Sequence, residues 1–275
     1  MSITKEALEH IEANAIAAGQ TIQVELPDNA TALPCTFSIV DLQKYAPNRR
    51  RFSGTLLTRD ISDYISYLKS TPPESKPVGF INADNLSCKS FLNLGDVTAP
   101  GHGDWTATLA MHPTAPYAAL LAVSGKKFDQ KGLVNWLEDW AEYLTPFSKD
   151  EGVEYYGSLH KATGAIRHIT IKALREGESK VNDFDVERSA MERIEASSRQ
   201  ELPGGFEFFC EPYLGLPARR FVLRLQVLTG GDEPALTLRV SALEATKEEI
   251  VKDFKRLLRD GLEGTVNLTI GEFTP

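Results

Sequence analysis

Cysteine is scarce in this chain of 275 residues: three occur, Cys35, Cys88 and Cys210, far apart in the sequence. No C-x-x-C pair is present, so the spacing of zinc ribbons and thioredoxin-like redox sites is missing. The odd, sparse count fits a reducing compartment rather than a disulfide framework. Histidine is also rare, with five in all, and no H-E-x-x-H pair places two imidazoles on one helical face. No apolar run approaches the roughly 20 residues that span a bilayer, which argues against membrane insertion. The N-terminus, MSITKEALEHIEAN, lacks the basic start and apolar middle of a secretory signal, so a cytoplasmic location is expected. G-x-S-x-G and G-x-x-x-x-G-K-[ST] are both absent, which removes the usual signals for a nucleophile elbow and a phosphate loop. A formal net charge of −8 opposes whole-surface attraction to polyanions while permitting a local basic patch.

What is present is the patterning of a folded globular chain, 42% hydrophobic and long enough for a sizeable core. Residues 3–18 read as a helix with Leu8 and Ile11 on its apolar side and Gly19 as a stop. Thr21–Leu26, Thr36–Val40 and Gly54–Thr58 suit short strands. Asp60 is placed to cap a helix that buries Ile61, Tyr64, Ile65 and Leu68. Lys76–Ala83 and Ser87–Leu94 read as strands turning at Asp84-Asn85, followed by a strand at Trp105–Met111. Thr114–Val123 suits a short helix, with strand as the alternative.

Asp129 is expected to open the most distinctive helix. There Leu133, Trp136, Leu137, Trp140 and Leu144 recur at three- and four-residue steps, the spacing of one buried face. Lys149–Gly164 is polar and marked by glycine, so it reads as a link. Ile166–Leu174 fits strand or helix, and its partial alternation favours strand. Phe206–Pro212, Arg219–Leu228, Ala235–Leu243 and Thr265–Ile270 read as strands. Thr246 with Glu249 has the form of a capping box for the last helix, which Gly261 ends.

Strands with irregularly interspersed helices indicate an α+β fold, with largely antiparallel mixed sheets and flanking helices. The organisation expected is an N-terminal α+β half, 1–148, and a strand-rich half, 149–275, ending in a helix and a strand. One continuous domain is the alternative.

Several blocks carry a family resemblance. They are Tyr45–Gly54, DISDYISYLKS, Gly101–Trp105, the FDQ…WLED run at Phe128–Asp139, LPGGFEFFCEPYLG and RRFVLRLQVL. Their order and spacing resemble the YfdQ-like proteins of bacteriophages and prophages, over roughly residues 35–245. The resemblance implies an accessory product of a temperate phage acting in the cytoplasm of the bacterial host, and it carries over no catalytic residues.

The clearest local charge cluster is Arg49, Arg50 and Arg51 behind a proline loop. Guanidiniums grip phosphates bidentately, and Tyr45 and Phe52 beside them could stack on a base. Lys126 and Lys127 follow Ser124-Gly125 in a turn that could hold an anion. Arg219 and Arg220, at the mouth of a strand, extend the candidate set. His102, Asp104 and His112 form the one local group with ligand-type atoms, but lie too far apart for one ion without a bend. No metal, cofactor or catalytic set is expected. The leading expectation is therefore a non-enzymatic binding protein for a nucleic acid, a nucleotide signal or a host protein. The alternatives are a nucleotide-directed enzyme with dispersed residues, for which Asp96, His102 and Asp104 come first, and a homo-oligomeric scaffold.

Overall fold

The computed structural model describes residues 4–19, 45–72, 76–148, 157–169, 202–228 and 235–274. The chain divides into two compact units, Met1–Phe52 and Ser53–Pro275. In the first, α1 (Lys5–Gly19) is a helix whose Leu8 and Ile11 are exposed. The expected strands at Thr21–Leu26 and Thr36–Val40 lie outside the described residues, as does Phe184–Ala196.

The second unit holds two five-stranded sheets and, among the described residues, five helices, so the fold is α+β. The first sheet has the order β1 (Gly54–Thr58), β4 (Trp105–Ala110), β3 (Ser87–Phe91), β2 (Val78–Asn82), β10 (Asn267–Ile270). Its two outer pairs are parallel and its two inner pairs antiparallel. The second has the order β5 (Lys127–Phe128), β9 (Ala235–Val240), β8 (Arg219–Leu228), β7 (Gly205–Cys210), β6 (Leu144–Phe147), and is antiparallel throughout. Each sheet draws strands from both sides of residue 149.

Helix α2 (Ile61–Ser70) begins where Asp60 accepts hydrogen bonds from the Ser62 and Asp63 amides. These satisfy donors that a helix start leaves open. It buries Ile61, Tyr64 and Leu68 and packs on β1 and β4. Helix α3 (Ala115–Val123) starts from Thr114 with Pro116 in its first turn. It lies on the second sheet, where Tyr117 meets Phe221 at 5.4 Å between ring centroids. Helix α4 (Gln130–Asp139) starts from Asp129 and sets Trp136 against Phe208 at 6.1 Å. Both tryptophans of this helix region, Trp136 and Trp140, pack against the core.

The chain departs from its periodicity in four places. The helical stripe that continues to Leu144 in sequence stops at Trp140. A short 3-10 turn at Ala141–Tyr143 follows, and Leu144 starts β6. Pro146 lacks the amide a helix interior needs, and β6 is an edge strand that tolerates it. The expected link at Lys149–Gly164 contains α5 (Leu159–Arg167), capped by Ser158. This helix takes in Ile166, where a strand was expected. It is held by long-range contacts: the Gln130 side-chain amide donates to the Ile166 and Ile169 carbonyls at 3.1 and 2.7 Å, and Arg167 pairs with Glu138 at 2.5 Å.

The last helix, α6, spans Leu243–Leu262, so Thr246 is inside it rather than at its cap. The Thr246 hydroxyl donates to the Ala242 carbonyl, and Glu249 goes to Arg219. Gly261 does not end α6. It sits where an added Cβ would come within 2.5 Å of Ile65 Cδ1, so its role is close approach of α6 to α2.

Candidate ligand-binding surface

Strand alternation divides the second sheet into two faces. The inner face carries Phe206, Phe208 and Cys210 on β7, Phe221, Leu223, Leu225 and Val227 on β8, and Leu236, Leu238 and Val240 on β9, all buried. The outer face carries the intervening residues. Phe209 lies opposite Arg220, Glu207 opposite Val222, and Gly205 opposite Arg224, which in turn lies opposite Arg239. The next row is Gln226, Thr237 and Lys127. Arg220 and Arg239 are exposed, and Phe209 is 56% exposed. Phe147 lies over Gly205 at the β6 end, where a Cβ on that glycine would come within 2.6 Å of the ring. Thr237 is buried. The open stretch therefore runs from Phe209 and Arg220 to Arg239, past the half-buried Arg224, which has an interaction partner of its own, with Glu207 as the one carboxylate among the described residues of these strands.

Arg219 and Arg220 are consecutive, so they face opposite ways. Arg219 donates to Glu249 at 2.6 Å and to Asp253, joining β8 to α6. Its side chain is 18% exposed and Asp253 is 13% exposed, so this pair is largely withdrawn from solvent. Arg220 pairs with Glu207 at 3.5 Å and stays 66% exposed. Lys127 is on the outer face at the β5 edge. Lys126 Nζ lies 5.0 Å from the Phe128 ring centroid. The amides of that turn are engaged, Gly125 donating to the Leu238 carbonyl and Lys126 to the Val123 carbonyl. The Asp129 carboxylate occupies the start of α4. Arg49, Arg50 and Arg51 belong to the Met1–Phe52 unit. Arg49 and Arg50 are exposed and Arg51 half-buried, while Tyr45, Arg49, Arg51 and Phe52 each have interaction partners.

Two of the residues proposed for dispersed catalysis, Asp96 and Asp104, hold local structure together. Asp96 accepts from the Thr98 hydroxyl at 2.6 Å and from the Thr98 and Ala99 amides at 2.8 and 2.9 Å. These bonds, the hydroxyl's first, hold its carboxyl below the usual range. Asp104 accepts from the buried Asn93 side chain at 2.9 Å, and Asn93 in turn accepts from the Trp105 amide at 3.0 Å. His102 and His112 are exposed. Among the described residues no group of three or more histidine, cysteine, aspartate or glutamate side chains could hold a metal ion. Burial pushes the Cys88 thiol up to about 11 and the Cys210 thiol up to about 12, which keeps both protonated near neutrality.

Arg224, Arg239 and Phe209 are the outer-face residues that motif reading missed. The alternation in RRFVLRLQVL already sets Arg220 and Arg224 on one side of a strand. Their juxtaposition with Arg239 and Phe209 depends on strand register, which no local pattern announces.

The fold defines an α+β protein with two five-stranded sheets, one of which shows a cationic outer face. The chain belongs to the family described as "Uncharacterized conserved protein (DUF2303)", whose model matches residues 4–273. No curated protein and no solved structure matches it. No helix among the described residues is long and apolar enough to cross a membrane.

Proposed function

We propose that this protein is a non-enzymatic accessory protein of a temperate phage or prophage, binding a phosphate-bearing ligand in the cytoplasm of the bacterial host. The phage setting rests on the resemblance to YfdQ-like proteins. The ligand class rests on one observation: Arg220, Arg224 and Arg239 share an outer sheet face on which Glu207 is the one carboxylate among the described residues of these strands, in a chain whose formal net charge is −8. The exposed guanidiniums of Arg220 and Arg239 are placed to grip an anionic ligand bidentately. Among a nucleic acid, a nucleotide signal and a host protein, this favours the two phosphate carriers. Arg49, Arg50 and Arg51 are a second proposed contact, in the other unit.

The test is a thermal-shift and calorimetric screen at low salt against nucleoside phosphates, cyclic dinucleotides and oligonucleotides. At least one ligand should raise Tm, with affinity falling as salt rises. Silence across the whole set would reject the phosphate reading and leave the host-protein one. Loss of affinity in the R50A/R51A double variant would place the ligand on the arginine loop; unchanged affinity would remove that loop from the site.

A scaffold role is the second reading. It is favoured by Leu8 and Ile11, which are 55% and 59% exposed one turn apart on α1. Light scattering over a range of concentrations separates a self-assembling chain from a monomeric binder.

A further inference from the structure

We infer that the outer face of the second sheet binds single-stranded nucleic acid. The inference rests on the phosphate-ligand reading above and narrows it to one polymer and one surface. Three observations carry it.

The first is the geometry of charge. Arg220 and Arg224 are four residues apart on β8, which sets them about 13 Å from one another along the strand. Arg239 stands directly across from Arg224, with Cβ atoms about 5 Å apart. The cations thus form a line rather than a point, as a polyanion of several phosphates requires and a single nucleotide does not. Arg239 has no ion pair among the described residues, and the exposed Arg220 guanidinium is held only at 3.5 Å by Glu207.

The second is Phe209. Its neighbours in sequence, Phe208 and Cys210, are buried on the inner face, whereas Phe209 is 56% exposed on the cationic one. It is the direct cross-strand partner of Arg220. An exposed ring beside an arginine, on a sheet face, is the combination that stacks an unpaired base while holding its phosphate. Bases inside a duplex have no free ring face to offer, so the aromatic residue points to the single strand.

The third is rigidity. The strands carrying these side chains are buried on their other face by α3 and α4, so the surface is formed before any ligand arrives. A preformed surface loses little freedom on binding.

The test is fluorescence anisotropy with a labelled oligothymidylate of about twenty nucleotides, against a duplex of equal length, between about 50 and 200 mM salt. Expected are tighter binding of the single strand and a log-affinity that falls linearly with log salt. F209A should weaken binding roughly five- to a hundredfold, the loss of one stacked base. R239A and R220A should each weaken it and reduce the salt slope by about 0.7. K252A makes the same charge change on the exposed side of α6 and should leave binding unchanged. Each variant is first shown to keep the parent Tm, which the exposure of the three side chains predicts. Equal or tighter binding of the duplex, or single-strand binding that F209A and R239A leave intact, overturns the inference. If the oligothymidylate fails to bind while a nucleotide does, the surface assignment falls and the broader reading stands. If no phosphate-bearing ligand binds, both fall.

Discussion

Tyr64 has a neutral network in the core that can be taken apart one atom at a time. Its ring is fully buried on α2. Its hydroxyl lies 2.7 Å from the Ser90 hydroxyl and donates to Cys88 Sγ at 3.3 Å. Because Tyr64 has one proton to give, Ser90 is the donor in the other bond. Ser90 is also fully buried, on the β3 face that meets α2. Y64F removes the hydrogen bond from Ser90 and the weaker one to Cys88 Sγ, and leaves the Ser90 hydroxyl without its acceptor. A typical net bond contributes about 1 kcal/mol, and an orphaned buried hydroxyl costs about 1–3 kcal/mol, so the loss should be about 2 kcal/mol. S90A should cost a similar amount, since it orphans the tyrosine oxygen and opens a small gap beside Gly79. The double variant removes donor and acceptor together, so it should lose clearly less than the two single losses added, with a coupling of about 1 kcal/mol. Urea unfolding of the four proteins, at constant m, measures this through Cm. Additive losses within about 0.3 kcal/mol would show that the two hydroxyls do not depend on each other, and would refute the network.

Further outcomes are expected. Gly101 has no room for a side chain, since a Cβ would sit 2.0 Å from the Asn93 carbonyl oxygen; G101A should destabilise by at least about 1–3 kcal/mol, read by urea unfolding, and a neutral result would contradict the loop geometry. Cys88 and Cys210 should resist a thiol reagent in the native protein at pH 8 and react on unfolding. The same burial makes stability pH-dependent: both thiols start from ordinary values near 9 and rise to about 11 and 12, and Tyr117 rises from 10 to about 12. Above pH 9 the unfolded chain therefore gives up protons that the folded chain keeps. Tm should fall from pH 9 through about 12, and a flat profile there would refute the burial of these groups. R219A breaks a largely buried charge pair to Asp253 and should cost about 2 kcal/mol, whereas R220A, at an exposed pair, should cost no more than about 0.5 kcal/mol; equal losses would contradict the assignment of their faces. T246A should change stability by less than about 0.5 kcal/mol, since Thr246 is inside α6, where a true cap would cost about 1 kcal/mol.

Local signals in the amino-acid sequence determined the elements whose causes are local. Asp60, Thr114 and Asp129 can each accept an amide hydrogen bond a few residues on, and each opens a helix. Alternation in Phe206–Cys210 and Arg219–Leu228 fixed two strands and the inward set of each, because side chains on a strand alternate whatever the partner. The α+β class followed from these. Tertiary structure decided what depends on distant partners. Trp140 ends a helix whose apolar period runs on to Leu144, because β7 offers the Leu144–Phe147 stretch an edge to pair with. Residues 159–167 form a helix because Gln130 and Glu138, about thirty residues earlier, hold its end. Gly261 lies inside α6, one residue before its end, where the absence of a Cβ leaves room for Ile65. The candidate surface is the same case. One strand's pattern can show that Arg220 and Arg224 share a side, but bringing Arg239 and Phe209 to them requires the register of three strands, set by packing across the whole sheet.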